Sequence, residues 1–285
     1  MFGHEFVRSA FLAGTPIALA CGLIGYFIVL RAQVFAGDAL SHVAFTAALA
    51  AAAAGVDIRI GLFAGTILLA LILGSLGDGA HADDVTIGIL FAWILGLGVF
   101  FLAVFNSGSG GAGGILGART LFGSIFGLSA ADARLAAVIG AAIVLALLAV
   151  ARPLLFASVD RVVAAARGVP VRALGLLLLA LLGATTAEAT QALGALLLLG
   201  LLAAPAGAAH RLTPRPYLAL GLAGLLAVLS TWIGLTVSYL IPSLPPSSAI
   251  IATASAIYLV AFLWSGEQRV PRSRYRPALI RAGEN

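Results

Sequence analysis

The sequence predicts an all-α polytopic membrane protein with eight or nine transmembrane helices and one short helix on the cytoplasmic side. Three observations carry that expectation. Of 285 residues, 62% are hydrophobic and only 9% are charged, and the mean hydropathy is +1.13, far outside the range of a soluble domain. Apolar runs recur along the chain at close to the ~20 residues needed to cross a hydrocarbon core by helix. The arginines, which supply all 16 basic side chains, gather on alternate connections between those runs, the asymmetry that fixes membrane orientation.

Taken in order, the candidate spans are residues 10–30, 39–54, 60–77, 85–105, 133–150, 173–186, 192–209, 217–241 and 249–264. The first lacks the cleavage pattern of a signal peptide and reads as a retained helix. Short runs such as 39–54 are also compatible with half-helices, so eight spans remains open beside nine. With nine spans and a cytoplasmic C-terminus, Arg31, Arg152, Arg161, Arg167, Arg172, Arg211, Arg215 and five tail arginines lie inside. Arg8, Arg59, Arg119 and Arg134 then lie outside. The N-terminus is outside on the nine-span count and inside on the eight-span count. The chain divides into one membrane domain, residues 1–266, and a basic cytoplasmic tail, 267–285, suited to anionic lipid headgroups.

Three connections are informative. The glycine-rich segment 106–127 reads as an outer surface loop, because a phosphate cradle would need a Lys and a strand-to-helix context. The polar island 156–175 holds a short helix ending near Gly168, with Pro170 preventing its continuation. The stretch TTAEATQ, 185–191, interrupts two apolar runs, either as a break lining a cavity or as a simple loop. The single Cys21 excludes an internal disulfide and a multi-cysteine metal site. No basic and aromatic surface recurs, which argues against a nucleic-acid partner.

The candidate chemistry centres on Asp38 and His42, four residues apart and therefore one turn apart on one helix face. Ionisable groups within a membrane are costly and mark pathways; the alternative is that Asp38 caps a helix and His42 hydrogen-bonds a carbonyl. Glu188 joins the cation path if 185–191 lines a cavity. His81, Asp83 and Asp84 offer three donors, but adjacent acids before an apolar run suit a helix N-terminus. His210 sits at a helix C-terminus, where a cation complements the dipole.

The wording VLRAQVFAGDALSHVAFTAALAAAAAG, 29–55, resembles the signature of the ABC permeases that import zinc and manganese. LFGSIFGLSAAD, the Phe156, Gly168, Pro170 and Val171 frame, and QALGALLLLGLLAAPAGAA resemble later segments of that family in the same order, over residues 11–264. Two departures stand out: Ala157 where the family carries Asp, and an acid at Glu188 outside its pattern. The resemblance implies a permease subunit of an ATP-driven importer of divalent metal ions, with Asp38 and His42 lining the metal path. It implies a coupling helix around Asp160, Arg161, Arg167, Gly168 and Pro170 that docks a separate ABC ATPase subunit. Further implied partners are an extracytoplasmic metal-binding protein and a second permease copy, in the bacterial plasma membrane. No tightly bound cofactor is implied, since zinc or manganese is cargo. The absence of a Walker A sequence agrees with an external ATPase.

One copy offers two good ligands where closed zinc sites take four, so two Asp38–His42 pairs meeting across a two-fold axis form a transient gate on this reading. A proton-coupled secondary metal carrier, with Asp38, His42 and Glu188 as a relay, is the alternative. A hydrolase using Ser41 or Ser109 is disfavoured, because Ser41 and His42 are adjacent and diverge on a helix.

Overall fold

A computed structural model describes residues 4–76, 84–108, 117, 120–195 and 198–267. Regular structure among them is helical throughout: α1 (Glu5–Leu30), α2 (Val34–Ala53), α3 (Ile58–Leu76), α4 (Asp84–Gly108), α5 (Ala130–Val159), α6 (Arg161–Ala166), α7 (Val171–Leu193), α8 (Leu198–Leu212), α9 (Pro216–Leu240) and α10 (Pro246–Glu267). A 3-10 turn, Ile125–Gly127, precedes α5. His81, Asp83 and residues 109–116, 118 and 119 of the glycine-rich segment, Ser109 among them, lie outside the described residues, as does the tail beyond Glu267.

Eight of these helices are long and apolar enough to cross a membrane. The remaining long element, α8, has 15 residues, yet its two ends are tied to opposite ends of the bundle. Just before it, the Ala195 amide donates to the Thr120 carbonyl at 3.0 Å, on the side where α5 begins. At its other end His210 Nε2 lies 3.2 Å from the Tyr26 carbonyl oxygen late in α1, and Arg211 Nε donates to Tyr258 late in α10 at 3.2 Å. Alternation through α8 therefore gives nine crossings among the described residues, with the start of α1 and the end of α10 on opposite sides. Arg31, Arg152, Arg161, Arg167, Arg172, Arg211 and Arg215 share one side and Arg8, Arg59 and Arg134 the other, which makes the first side cytoplasmic.

The core is built around α1, which packs against α5, α7, α8 and α9 and buries Ile17, Cys21, Ile24, Tyr26 and Phe27. A Cβ at Gly25 would overlap the Leu202 carbonyl oxygen of α8. That close approach is how helices associate in lipid, where apolar contact alone brings no gain over lipid contact.

The structure corrects three sequence expectations. The stretch 185–191 is neither break nor loop but the continuous outer part of α7. Thr185 Oγ1 donates to Leu181 O at 2.8 Å and Glu188 finds an arginine partner, so polar side chains there leave the backbone ladder whole. The break falls instead at Gly194, φ +90°, where a Cβ would overlap the backbone of residues 121–123. Second, α2 starts at Val34, five residues before the apolar run suggests. Third, α5 runs over 30 residues, about 45 Å at 1.5 Å per residue, so its inner end projects beyond the hydrocarbon.

That projection carries α6. Asp160 ends α5 and caps α6, its Oδ1 accepting from Val163 N at 2.9 Å. Gly168, φ +79°, turns the chain out of α6, and Pro170 is the N-cap of α7. Val159, Val162 and Val163 stand exposed here, Val162 at 80%. Ala157 is fully buried, so its departure from the family wording falls inside the core and off this exposed face.

Two outcomes check the arrangement. Ala165→Cys in a Cys21→Ser background is expected to react with a membrane-impermeant maleimide only from the cytoplasmic side; labelling from outside would overturn the orientation. Gly194→Ala is expected to cost about 1–3 kcal/mol from left-handed strain alone, read as a lower melting temperature of the purified protein.

Candidate functional site

On α2 the residues Ala36, Ala39, Leu40, Val43 and Ala44 are buried, while Phe35, Asp38, His42 and Phe45 form a stripe that remains partly exposed. Asp38 and His42 are one turn apart, as the spacing predicts. Neither does structural duty. The N-cap of α2 is Gln33, so Asp38 lies beyond the first turn. Among the described residues no hydrogen bond or ion pair reaches its carboxylate or the His42 ring. The His42 contact is aromatic: Phe91 of α4 meets the ring edge-on, with centroids 5.0 Å apart. Phe91 also lies 6.1 Å from Phe35, and Thr46 Oγ1 donates to Ile94 O at 3.0 Å, so α4 forms one fixed wall of the stripe. Ser41 is 1% exposed and donates to the Asp38 carbonyl at 2.7 Å, which removes it as a nucleophile.

The α1–α2 junction is anchored below this stripe. Arg31 Nε donates to Ser158 Oγ at 2.9 Å, and Ser158 in turn donates to Leu154 O at 2.6 Å. Burial, and then the neighbouring Arg161 charge, bring the Arg31 guanidinium down to about 10. The start of the helix bearing Asp38 is thereby tied to the end of α5, two residues before α6. With a rise of 1.5 Å per residue, Asp38 and His42 stand roughly 6 and 12 Å from the inner end of α2.

Glu188 is not part of this stripe. Its neighbour Ala187 packs with Ala44, Ala48 and Leu62, roughly 9–15 Å further out along α2 than Asp38. Glu188 is 2% exposed and Arg59 Nη2 lies 3.2 Å from its Oε1; Arg59 Nη1 lies 3.8 Å from Asp132 Oδ1. Asp57 caps α3, its Oδ1 accepting from Arg59 N at 2.8 Å, and so presents Arg59 at the helix start. Sequence reasoning missed Arg59 and Asp132 as partners of Glu188. The available signal was topological: with nine spans, the starts of α3 and α5 and the end of α7 share the outer side. Removing one member of such a buried pair costs about 3–5 kcal/mol, because the other charge is left uncompensated.

His210 stacks on Tyr26 with centroids 4.5 Å apart, and Arg211 lies over the Phe262 ring at 4.6 Å; both serve packing at the inner end. Asp84 begins α4 as expected. Among the described residues no three His, Cys, Asp or Glu side chains converge. One copy of the chain therefore presents an imidazole and a carboxylate on an incompletely covered face, a donor pair that takes a divalent cation only with ligands from elsewhere.

Comparison with known proteins agrees with this architecture. The chain is 31% identical over 271 residues to the manganese transport system membrane protein MntC of Halalkalibacterium halodurans, covering 95% of this chain and 91% of the relative. It is 28% identical to the manganese import system permease protein ScaB of Streptococcus parasanguinis, covering 93% and 92%. Among solved structures, PsaBC from Streptococcus pneumoniae in complex with Fab superposes with a TM-score of 0.78 at 27% identity, over 95% of this chain and 94% of that one. The ABC 3 transport family matches residues 3–265, from the start of α1 to the last turn of α10, and the chain belongs to that family.

Proposed function

We propose that this chain is the membrane permease subunit of an ATP-driven importer of divalent metal ions, with Asp38 and His42 as its cation ligands. The observation that carries the reading is the pair itself: two good ligands on one half-exposed face of α2, engaged by no other described side chain except the aromatic wall at Phe91. Two copies related by a two-fold axis would bring two carboxylates and two imidazoles together. Such a site forms when the α2 helices approach and splits when they part, so it releases cargo that a four-ligand cage in one chain would hold. Manganese is the first candidate because the relatives bear that name; zinc suits the same donors.

Energy enters through a separate ATPase. The exposed face of α6, with Val162 and Val163 flanked by Arg161 and Arg167, is the surface we assign to that subunit. Asp160, Gly168 and Pro170 shape it rather than touch the partner: one caps α6, one turns the chain and one starts α7. An extracytoplasmic metal-binding protein would deliver the cation to the opposite side. A secondary carrier has no use for this projecting element, which favours the ATP-driven reading over proton coupling.

Asp38→Asn and His42→Ala are each expected to lower cation uptake at least tenfold while the purified complex with its ATPase stays intact. Full uptake by His42→Ala would remove the pair from the path. Arg161→Glu with Arg167→Glu is expected to leave membrane insertion unchanged while uptake falls and ATP hydrolysis no longer responds to the delivered metal. Uptake at the native rate in that variant would move the ATPase contact elsewhere.

A further inference from the structure

Three residues, Arg31, Ala32 and Gln33, join α1 to the helix that carries Asp38 and His42. Ala32 holds φ +54°, the one positive φ outside glycine among the described residues, a conformation that an L side chain keeps only where its surroundings impose it. The backbone of this turn belongs to α1: the Arg31, Ala32 and Gln33 amides donate back to Phe27 O, Val29 O and Ile28 O at 2.9, 3.1 and 2.9 Å. The Arg31 side chain belongs elsewhere, at Ser158 near the end of α5.

α2 is held unevenly along its length. It packs chiefly on α3 and α4 and only slightly on α1. Its middle is fastened twice, by the hydrogen bond from Thr46 Oγ1 to Ile94 O of α4 at 3.0 Å and by the packing of Ala44 and Ala48 with Ala187 of α7. Its first turns are looser. A Cβ at Gly37 would come no closer than 4.0 Å to Leu202 of α8, and a narrow cleft lined by Val34, Gly37 and Leu202, among others, separates the two helices there. No extensive contact among the described residues joins α2 to α5 or α6. The hydrogen bond from Arg31 to Ser158 spans that gap.

We propose that Arg31 is the positioning residue through which the α5–α6 corner moves α2, and that α2 turns about Thr46 so that Asp38 travels about twice as far as His42. The proportion follows from a rise of ~1.5 Å per residue, which places Asp38 about 12 Å and His42 about 6 Å from the fastening at Thr46. The carboxylate thus leaves the cation first, while the imidazole stays beside Phe91. The proposal rests on the importer reading above and supplies the step between the ATPase face of α6 and the two ligands. α6 packs against the end of α5 and its Ala164 is fully buried, so a push on the exposed valines of the corner reaches Ser158 rather than being absorbed. Arg161 of α6 also acts on Arg31 through space, its charge being the second cause, after burial, that lowers the guanidinium.

The test is amide hydrogen exchange of the permease purified with its ATPase, without nucleotide and with a non-hydrolysable ATP analogue. In the native complex, α6 and residues 34–42 are both expected to change their exchange rates at least threefold on addition of the analogue, and residues 46–53 much less. In Arg31→Ala the response of α6 is expected to remain and that of 34–42 to disappear. Arg31→Lys, which still carries a donor, is expected to restore it. Ser158→Ala removes the acceptor and leaves the arginine in place; it is expected to match Arg31→Ala, and the double variant to lose no more than either single one. Mn2+ uptake by cells carrying the complete transporter is expected to fall at least tenfold in Arg31→Ala and Ser158→Ala and to recover in Arg31→Lys. If Arg31→Ala does not assemble, Ser158→Ala decides the matter. A native response of 34–42 in Ser158→Ala, no response of 34–42 in the native complex, or a response there without one at α6 would overturn the proposal. So would loss of the α6 response together with that of 34–42, the outcome of a merely structural role. Failure of the importer reading would show separately, as full uptake by His42→Ala, because hydrogen exchange does not depend on transport.

Discussion

Inside a bilayer there is no water to satisfy a broken backbone and no hydrophobic gain when two helices meet, so this protein depends on close approach between small residues. The contact of α1 with α8 at Gly25 is the tightest expression of that constraint: a side chain there would meet the Leu202 carbonyl. The same economy appears where Ala44 and Ala48 of α2 meet Ala187 of α7. Faces packed this closely leave little room for polar side chains. Polar chemistry is therefore pushed to the ends of the bundle and to a face of α2 that the described helices cover only in part.

The two polar centres that result differ in kind. Glu188 and Arg59 are paired across elements far apart in sequence, so the outer centre fastens α3, α5 and α7 to one another. Asp38 and His42 are set on a single helix and fasten nothing. The link between the membrane-embedded pair and the cytoplasm is mechanical: Arg31 holds the start of α2 to Ser158 at 2.9 Å, and Ser158 is two residues from Asp160, the cap of α6. A shift of the α5–α6 corner is thus delivered to the helix that carries Asp38 and His42, through one hydrogen bond from a partly buried guanidinium.

What could be read from the sequence follows from the range over which each feature is encoded. The spans and their orientation are local in composition and charge, and they are legible. The Asp38–His42 relation is also local, because helix periodicity fixes it within one turn. The ambiguity between eight and nine spans had a physical origin in α8, whose 15 residues are too few by length alone. The break was misplaced because TTAEATQ looks like an interruption, whereas Gly194 is one glycine among 34 and its φ of +90° leaves no mark in the sequence. Arg31 and Gln33 masked the first turn of α2 in the same way. The Arg59–Glu188 partnership required the folded topology, and Asp132 reads from sequence as nothing more than an acid in a first helical turn.

The short α8 has an electrical consequence. At 1.5 Å per residue it is about 22 Å long, against roughly 30 Å of hydrocarbon, and the buried turn at Gly194 and Ala195 is walled by the segment around Thr120 rather than by lipid. The helix itself is therefore shorter here than the hydrocarbon is thick. Membrane voltage falls mainly across low-dielectric material, so in this protein it is compressed into a thinner layer than in the surrounding bilayer. Moving one elementary charge through 100 mV is worth about 2.3 kcal/mol; a dication feels twice that. With the cell interior negative, that field draws a cation from the outer end of the bundle toward the inner end.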